Sequence, residues 1–458
     1  RGSWVRALVA IAAGIAVGAL IAPVVAPVLS GRPRDAVSQA IGAAFARAPA
    51  SPVGRFYYER GERPLWITDG KLAPAAAELV SVLKDARDDD LEPAAYGIPR
   101  LQAEIKAAGG KDAPGAMAAA DIDLSRAYAS YIGDLHRPDP AAPLQWVDPA
   151  VRLAPTDPLA ILEAAARAPS LTAALAEARL MNPIYTGLRA ALLAERENGD
   201  QGGRDALLAA NLERARALPP SLGARYILVN PAAESLWFVD HGAPPQTMQI
   251  IVGMTDDQTP SMIGLIRDAL FNPYWNVPPA LTSQKIAPEV LRHGTAYLRR
   301  QHFEVLADWQ ADAEPIDPAT VDWRTIAAGG KGARVRQLPG PDNMMGEVKF
   351  MLPNPLGIYL HDTPEKGLFD ASVRTDSHGC VRLKNALRLA QWIFGHPIQP
   401  ATSGTPDQKA DIDPPIPVYI LYLTAQPGPG GVTFLPDIYH RDPALLAALV
   451  HSGHAGFS

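Results

Sequence analysis

The feature that most constrains this chain is a change of hydrophobic period at Pro219-Pro220. Before it, apolar residues recur at helical spacing. Residues 74–86 set Leu79, Val80, Leu83 and Ala86 on one face, and residues 116–132 do the same with Ile122, Leu124, Ala127, Tyr128 and Tyr131. Residues 158–168, 171–178, 185–197 and 205–218 continue the pattern, and the polar stretch 197–203 reads as a linker between helices. After Pro220 come runs rich in β-branched and aromatic residues, at 225–230, 235–240 and 247–252, cut by turn-like segments at 231–234 and 241–245. Further strands are expected at 269–271, 348–351 and 357–361, with a late hairpin joining 418–423 to 432–435 around Gly428–Gly431. The expected fold class is α+β: a mostly helical scaffold domain over 33–220, a β-rich domain over 221–442 and a short tail over 443–458. Residues 284–345 break the strand rhythm with helical, acidic and Gly-rich pieces. A stretch of that length inside a domain is expected to be an inserted subdomain that lids a site.

Composition excludes some function classes. The net charge is −6 with no Lys/Arg-rich run, so nucleic acid is not an expected partner. The single cysteine forbids an intramolecular disulfide. Residues 7–29 carry no charge and are flanked by Arg1, Arg6, Arg32 and Arg34. About 20 apolar residues span a bilayer core as a helix, so residues 1–32 read as a signal anchor, with a cleaved export signal as the alternative. Either way the remainder is exported. The acidic run Asp88-Asp89-Asp90 reads as a solvated helix end rather than a metal site.

The chemistry concentrates in Tyr359-Leu360-His361-Asp362-Thr363 and Ser377-His378-Gly379-Cys380-Val381-Arg382. A free thiol titrates near pH 8.5, and an imidazole or a helix N-terminus beside it favours the nucleophilic thiolate. Leu383, Ala386, Leu387, Ala390, Ile393 and Phe394 fall at helical spacing before Gly395 and Pro397, which places Cys380 at or just before a helix start. His361 closes a β-run and is the better candidate base, its second nitrogen held by Asp362 or by a nearby backbone carbonyl. His378 is a supporting neighbour, Gly379 leaves room for a substrate carbonyl, Arg382 is a candidate carboxylate binder, and the amides near Gly379 and Cys380 are candidate oxyanion donors. Two other readings of these residues stay open: an inert buried cysteine, and a zinc site on His361, His378 and Cys380, which lacks an evident fourth ligand.

Histidine, fifteen residues, then Ser-His-Gly-Cys resembles the signature of the YkuD-like L,D-transpeptidases of bacterial cell walls. Residues 272–279, 348–354 and 358–363 are similar to the large, membrane-anchored Gram-negative branch of that family. The resemblance implies that Cys380 attacks a peptidoglycan tetrapeptide stem between its third residue, usually meso-diaminopimelate, and the terminal D-Ala. A thioester and then a 3→3 crosslink follow. It carries over His361 as base and His378 and Gly379 as motif neighbours. Arg382, Tyr359, Trp275, Asn276 and Ser377 are the expected substrate-binding residues. It implies no metal and no cofactor, acylation of Cys380 by carbapenems, partners among cell-wall synthesis proteins, and a periplasmic location with an inner-membrane anchor. Alternatives of other kinds are an L,D-carboxypeptidase or hydrolase with water as acceptor, and a non-catalytic peptidoglycan-binding scaffold. Large members carry a small peptidoglycan-binding module in the scaffold region, whereas residues 197–204 offer only a short polar linker here.

Overall fold

A computed structural model of the chain describes residues 35–46, 51–110, 113–151, 153–199, 202–398 and 404–451. The apolar run 7–29 lies outside the described residues, and among the described ones no helix is long and apolar enough to cross a membrane.

The first part is helical from Ala36–Phe45 to Arg204–Arg216 and is built around one long helix, Pro114–His136. Apolar residues on several sides of that helix are buried, so it runs through the middle of the helical core. Its buried Asp121 accepts from the backbone N–H groups of Leu65 (2.9 Å) and Trp66 (2.7 Å) and from the Tyr57 hydroxyl (2.5 Å). Ser125 accepts from the Trp66 indole at 3.0 Å. These bonds satisfy the buried polar atoms and pin the aromatic turn 56–66 to the central helix. The acidic run at 88–90 is not the solvated helix end that the sequence suggested. Asp89 takes an ion pair from Arg189 (2.8 Å) and a hydroxyl from Tyr185 (3.2 Å), and Asp90 pairs with Arg196 (2.5 Å). Distant arginines turn the run inward, and those partners are invisible to a local reading.

The second part is organised by a ten-stranded sheet. Its strands in chain order are β1 (Arg225–Asn230), β2 (Ser235–Asp240), β3 (Gln246–Gly253), β4 (Met262–Phe271), β5 (Val348–Met351), β6 (Leu360–His361), β7 (Thr375–Ser377), β8 (Val381–Leu383) and β9 (Gln408–Ile420). The order across the sheet is β5-β6-β8-β3-β2-β1-β9-β4, β7 pairs with β3, and a further β5–β4 pairing curls the sheet back on itself. The strand Gln145–Trp146 from the helical part adds to β4, a pairing the sequence did not reveal.

Side-chain alternation divides the two faces of this sheet. Ile227 and Val229 of β1 and Ile416, Val418 and Ile420 of β9 point into the β-domain core. Tyr226 and Leu228, with Tyr419, pack against the helical core. That two-sided burial explains why these strands read as nearly continuous apolar runs. The helix Ala386–Phe394 plugs the β core with Ala386, Leu389, Ala390 and Ile393. Each large apolar side chain buried there contributes about 1.5–3 kcal/mol.

Two expectations change. Residues 418–423 are not half of a late hairpin; the first three of them end β9, and the hairpin pairs Ala425–Gly428 with Gly431–Phe434. The interrupting stretch carries strands as well as helices. Trp275–Asn276, Phe303–Leu306, Pro315–Ile316 and Arg334–Gln337 form a separate four-stranded sheet, with a small core that includes Val277, Val290, Val305 and Val335. Strands of two to four residues are too short to show a period.

Candidate active site

Three neighbouring strands build the site. In the antiparallel β5–β6 pair, Lys349 faces His361 and Phe350 faces Leu360; in the parallel β6–β8 pair, Leu360 faces Val381 and His361 faces Arg382. Phe350, Leu360, Val381 and Leu383 are fully buried in the core. Alternation therefore sends Lys349, His361 and Arg382 to the other face, and continuing it back along each chain adds Tyr359 and Cys380. The Lys349 ammonium lies 3.6 Å from the centroid of the Tyr359 ring.

The turn that presents Cys380 is fixed by buried polar contacts. Ser377 Oγ donates to the Cys380 carbonyl at 2.6 Å. Thr259 Oγ1 donates to the Gly379 carbonyl at 2.9 Å and accepts from the Gly253 N–H at 2.9 Å. Gly379 has φ +93°, and a Cβ there would stand 3.0 Å from Ile358 Cδ1, so the position favours glycine on two counts. His378 Nδ1 is 2.6 Å from Asp257 Oδ2.

The expectation that Cys380 sits at a helix start does not hold. Cys380 leads into β8, and the helix Ala386–Phe394 begins only after Asn385, whose side chain caps it by accepting from the Arg388 N–H at 3.0 Å. Leu383 fitted the helical spacing because periods of 2 and 3.6 coincide over so short a run. The macrodipole of that helix is therefore not applied at the sulfur. Burial pushes the Cys380 thiol up, and the Tyr359 backbone N–H at the sulfur, the Lys349 ammonium and the Arg382 guanidinium pull it back. The thiol is half-buried, and its proton is directed at the Gly357 carbonyl, 3.5 Å away.

His361 is 1% exposed. Burial, with the positive charges of Arg382, Lys349 and Lys366, lowers its pKa to about 3 against the support of the Asp362 carbonyl. The ring is neutral at working pH. Nδ1 lies 2.5 Å from the Asp362 backbone oxygen, which can only accept, so Nδ1 carries the hydrogen and Nε2 carries the lone pair. Of the two holders left open by the sequence, the backbone carbonyl is the one used. The Asp362 carboxylate instead accepts from the Glu347 N–H at 3.0 Å and pairs with Lys366. In this resting geometry Sγ bonds Gly357 rather than His361, consistent with catalytic hydrogen bonds that close only on substrate binding.

The expected substrate-binding residues divide. Tyr359 and Arg382 lie at the thiol, although Arg382 is already paired with Glu365 (2.7 Å), with Asp376 further off at 3.8 Å. Ser377 spends its buried hydroxyl on the Cys380 turn, so it holds the nucleophile rather than a substrate. Trp275 and Asn276 belong to the separate small sheet. Trp275 packs on Phe303 with centroids 6.1 Å apart, and Asn276 Oδ1 accepts from Arg334 at 3.4 Å, so their contacts serve the insertion. His361 and His378 are turned to separate partners, and among the described residues no three His, Cys, Asp or Glu side chains converge on a metal position. Thr259, Asp257, Lys349 and Glu365 were missed. Lys349 and Glu365 sit in or beside the quoted motifs, and strand alternation was the signal for the lysine. Thr259 and Asp257 reach the motif across about 120 positions, with no local signal.

Comparison with known proteins adds independent findings. Residues 224–418 match the L,D-transpeptidase catalytic domain family, YkuD, and residues 51–192 match the scaffold domain family. A Haemophilus influenzae protein described as "Putative L,D-transpeptidase" is 32% identical over 250 residues, which cover 53% of this chain and 50% of that relative. The chain thus spans about half the length of this curated relative.

Proposed function

We propose, from the premise that this chain carries a YkuD L,D-transpeptidase catalytic domain behind a scaffold domain, that it is a peptidoglycan L,D-transpeptidase acting through Cys380. The observation that carries the reading is the shared face of β5, β6 and β8. It presents one thiol, one neutral imidazole with a free Nε2, and flanking cations. Those cations suit a stem peptide that is rich in carboxylates.

His361 Nε2 takes the Sγ proton as sulfur attacks the carbonyl of the third stem residue. The amides of Gly379 and Cys380, which donate to no carbonyl among the described residues, receive the oxyanion. The carbon–nitrogen bond to D-Ala breaks, and the imidazolium returns the proton to the leaving amine. The side-chain amine of a second stem then attacks the thioester, loses its proton to His361 and frees the thiolate. A 3→3 crosslink results. A carbapenem enters at the first step and acylates Cys380. The site uses no metal or cofactor. Residues 7–29 anchor the chain in the inner membrane, with the catalytic part in the periplasm, where cell-wall synthesis proteins are the expected neighbours.

The test is product analysis after incubation of the protein with disaccharide tetrapeptides. Crosslinked dimers together with free D-Ala support transpeptidation. Trimmed monomers alone would reassign the enzyme to hydrolysis, and no change in the muropeptides would refute the proposal.

A further inference from the structure

The three strands that carry the site bring a second cation besides Arg382 to the sulfur, one the proposed steps do not use. Lys349 is the direct cross-strand partner of His361, so the two side chains leave the sheet on the same face with Cβ atoms about 5 Å apart. Its ammonium rests 3.6 Å from the centroid of Tyr359, the residue whose backbone N–H meets Cys380 Sγ. Other cations around the site are already matched, Arg382 by Glu365 and Lys366 by Asp362, and His378 is hydrogen-bonded to Asp257. No carboxylate lies within ion-pair distance of Lys349 among the described residues. A half-buried ammonium packed on an aromatic face, with no anion in contact, is costly unless an anion arrives. The anion this site generates is the thiolate.

We propose that Lys349 is a positioning residue for Cys380: its ammonium supplies the positive field that a helix N-terminus does not supply here, and it stabilises the thiolate that forms as the Sγ proton leaves for His361. This deepens the reading of Cys380 as nucleophile and rests on it. Facing Cys380 are His361 and Tyr359 from the β6 segment, Arg382 from its own strand and Lys349 from β5. Facing Lys349 are His361, Cys380, Tyr359 and, from the approach to β9, Asp407. Burial lowers the Lys349 pKa, while Cys380 and Asp407 oppose that shift.

Cys380 is the only cysteine in the chain, so alkylation by iodoacetamide reports this thiol alone. The full chain is alkylated across a pH series, as wild type and as Lys349→Met, Lys349→Gln and Lys349→Arg. The pH midpoint should rise by about one unit in the Met and Gln variants and return toward wild type with Arg. An unchanged midpoint in whichever neutral variant keeps the wild-type circular dichroism spectrum overturns the proposal. So does a shift that Arg fails to restore, because that marks a packing role. The assay contains no stem peptide: a shifted midpoint beside a failed crosslinking assay would fault the substrate assignment and leave the lysine in place.

Discussion

His361→Gln tests whether the imidazole is a buried neutral base. The ordinary histidine value is 6.5 and the folded value is about 3. Above pH 6.5 neither the folded nor the unfolded ring holds the extra proton, and the full contribution to stability is present. Between the two values only the unfolded chain takes the proton, so stability falls as pH falls. Below about pH 3 both forms are protonated and the loss levels off. With 1.36 kcal/mol per pKa unit, the loss at pH 5 is about 2 kcal/mol, rising to about 5 kcal/mol at the limit. Glutamine does not titrate and removes this dependence. The other ionisable groups, including the buried His136, are common to both proteins and cancel in the difference. Urea unfolding at about pH 7.5 and about pH 5, followed by tryptophan fluorescence, gives the wild-type minus variant stability at each pH. That difference should be smaller by about 2 kcal/mol at the lower pH. The same difference at both would show that folded His361 takes up a proton at about pH 5 as readily as the unfolded ring does, and would refute the account of it as a base kept neutral by burial.

Thr259→Val removes the hydroxyl shared by the Gly253 N–H and the Gly379 carbonyl; leaving buried groups unpaired costs about 1–3 kcal/mol each, to be read from urea midpoints, with slower alkylation of Cys380 as the turn loosens. Gly379→Ala places a Cβ against Ile358 at φ +93° and should cost at least about 1–2 kcal/mol, while a neutral effect in thermal melts would contradict the strained-turn account. Asp121→Ala strips the acceptor from Leu65, Trp66 and Tyr57 in the helical part and should destabilise by about 3 kcal/mol or more, seen as a lower urea midpoint with Cys380 alkylation in the native state unchanged. His361→Ala should slow carbapenem acylation by about 10²–10⁴-fold, measured by intact mass against time.

Much of this architecture was legible because its signals are local. The strands Arg225–Asn230, Ser235–Asp240 and Val348–Met351 fall where alternation and turn residues place them, and the helices around Pro114–His136 follow from a 3.6-residue period. His361 and Cys380 stood out through residue type and spacing. What failed needed knowledge of partners distant in sequence. Asp89 and Asp90 look solvated until Arg189 and Arg196 arrive from about a hundred residues away. Ser377 looks available until its hydroxyl is seen to close the Cys380 turn. The strand at Trp275 and Asn276 is too short to read until Arg334–Gln337 pairs with it. The helix placed at Cys380 failed for another reason: three residues of strand lie between, too few for period alone to separate from a helix start.

The most direct measurement is the intact mass of the protein quenched in acid during reaction with a tetrapeptide stem. An adduct equal to the stem less D-Ala, located by peptide mapping on Cys380 and absent from Cys380→Ala, is the predicted result. An adduct that persists in Cys380→Ala, or that maps to another residue, would contradict the assignment of Cys380 as the nucleophile.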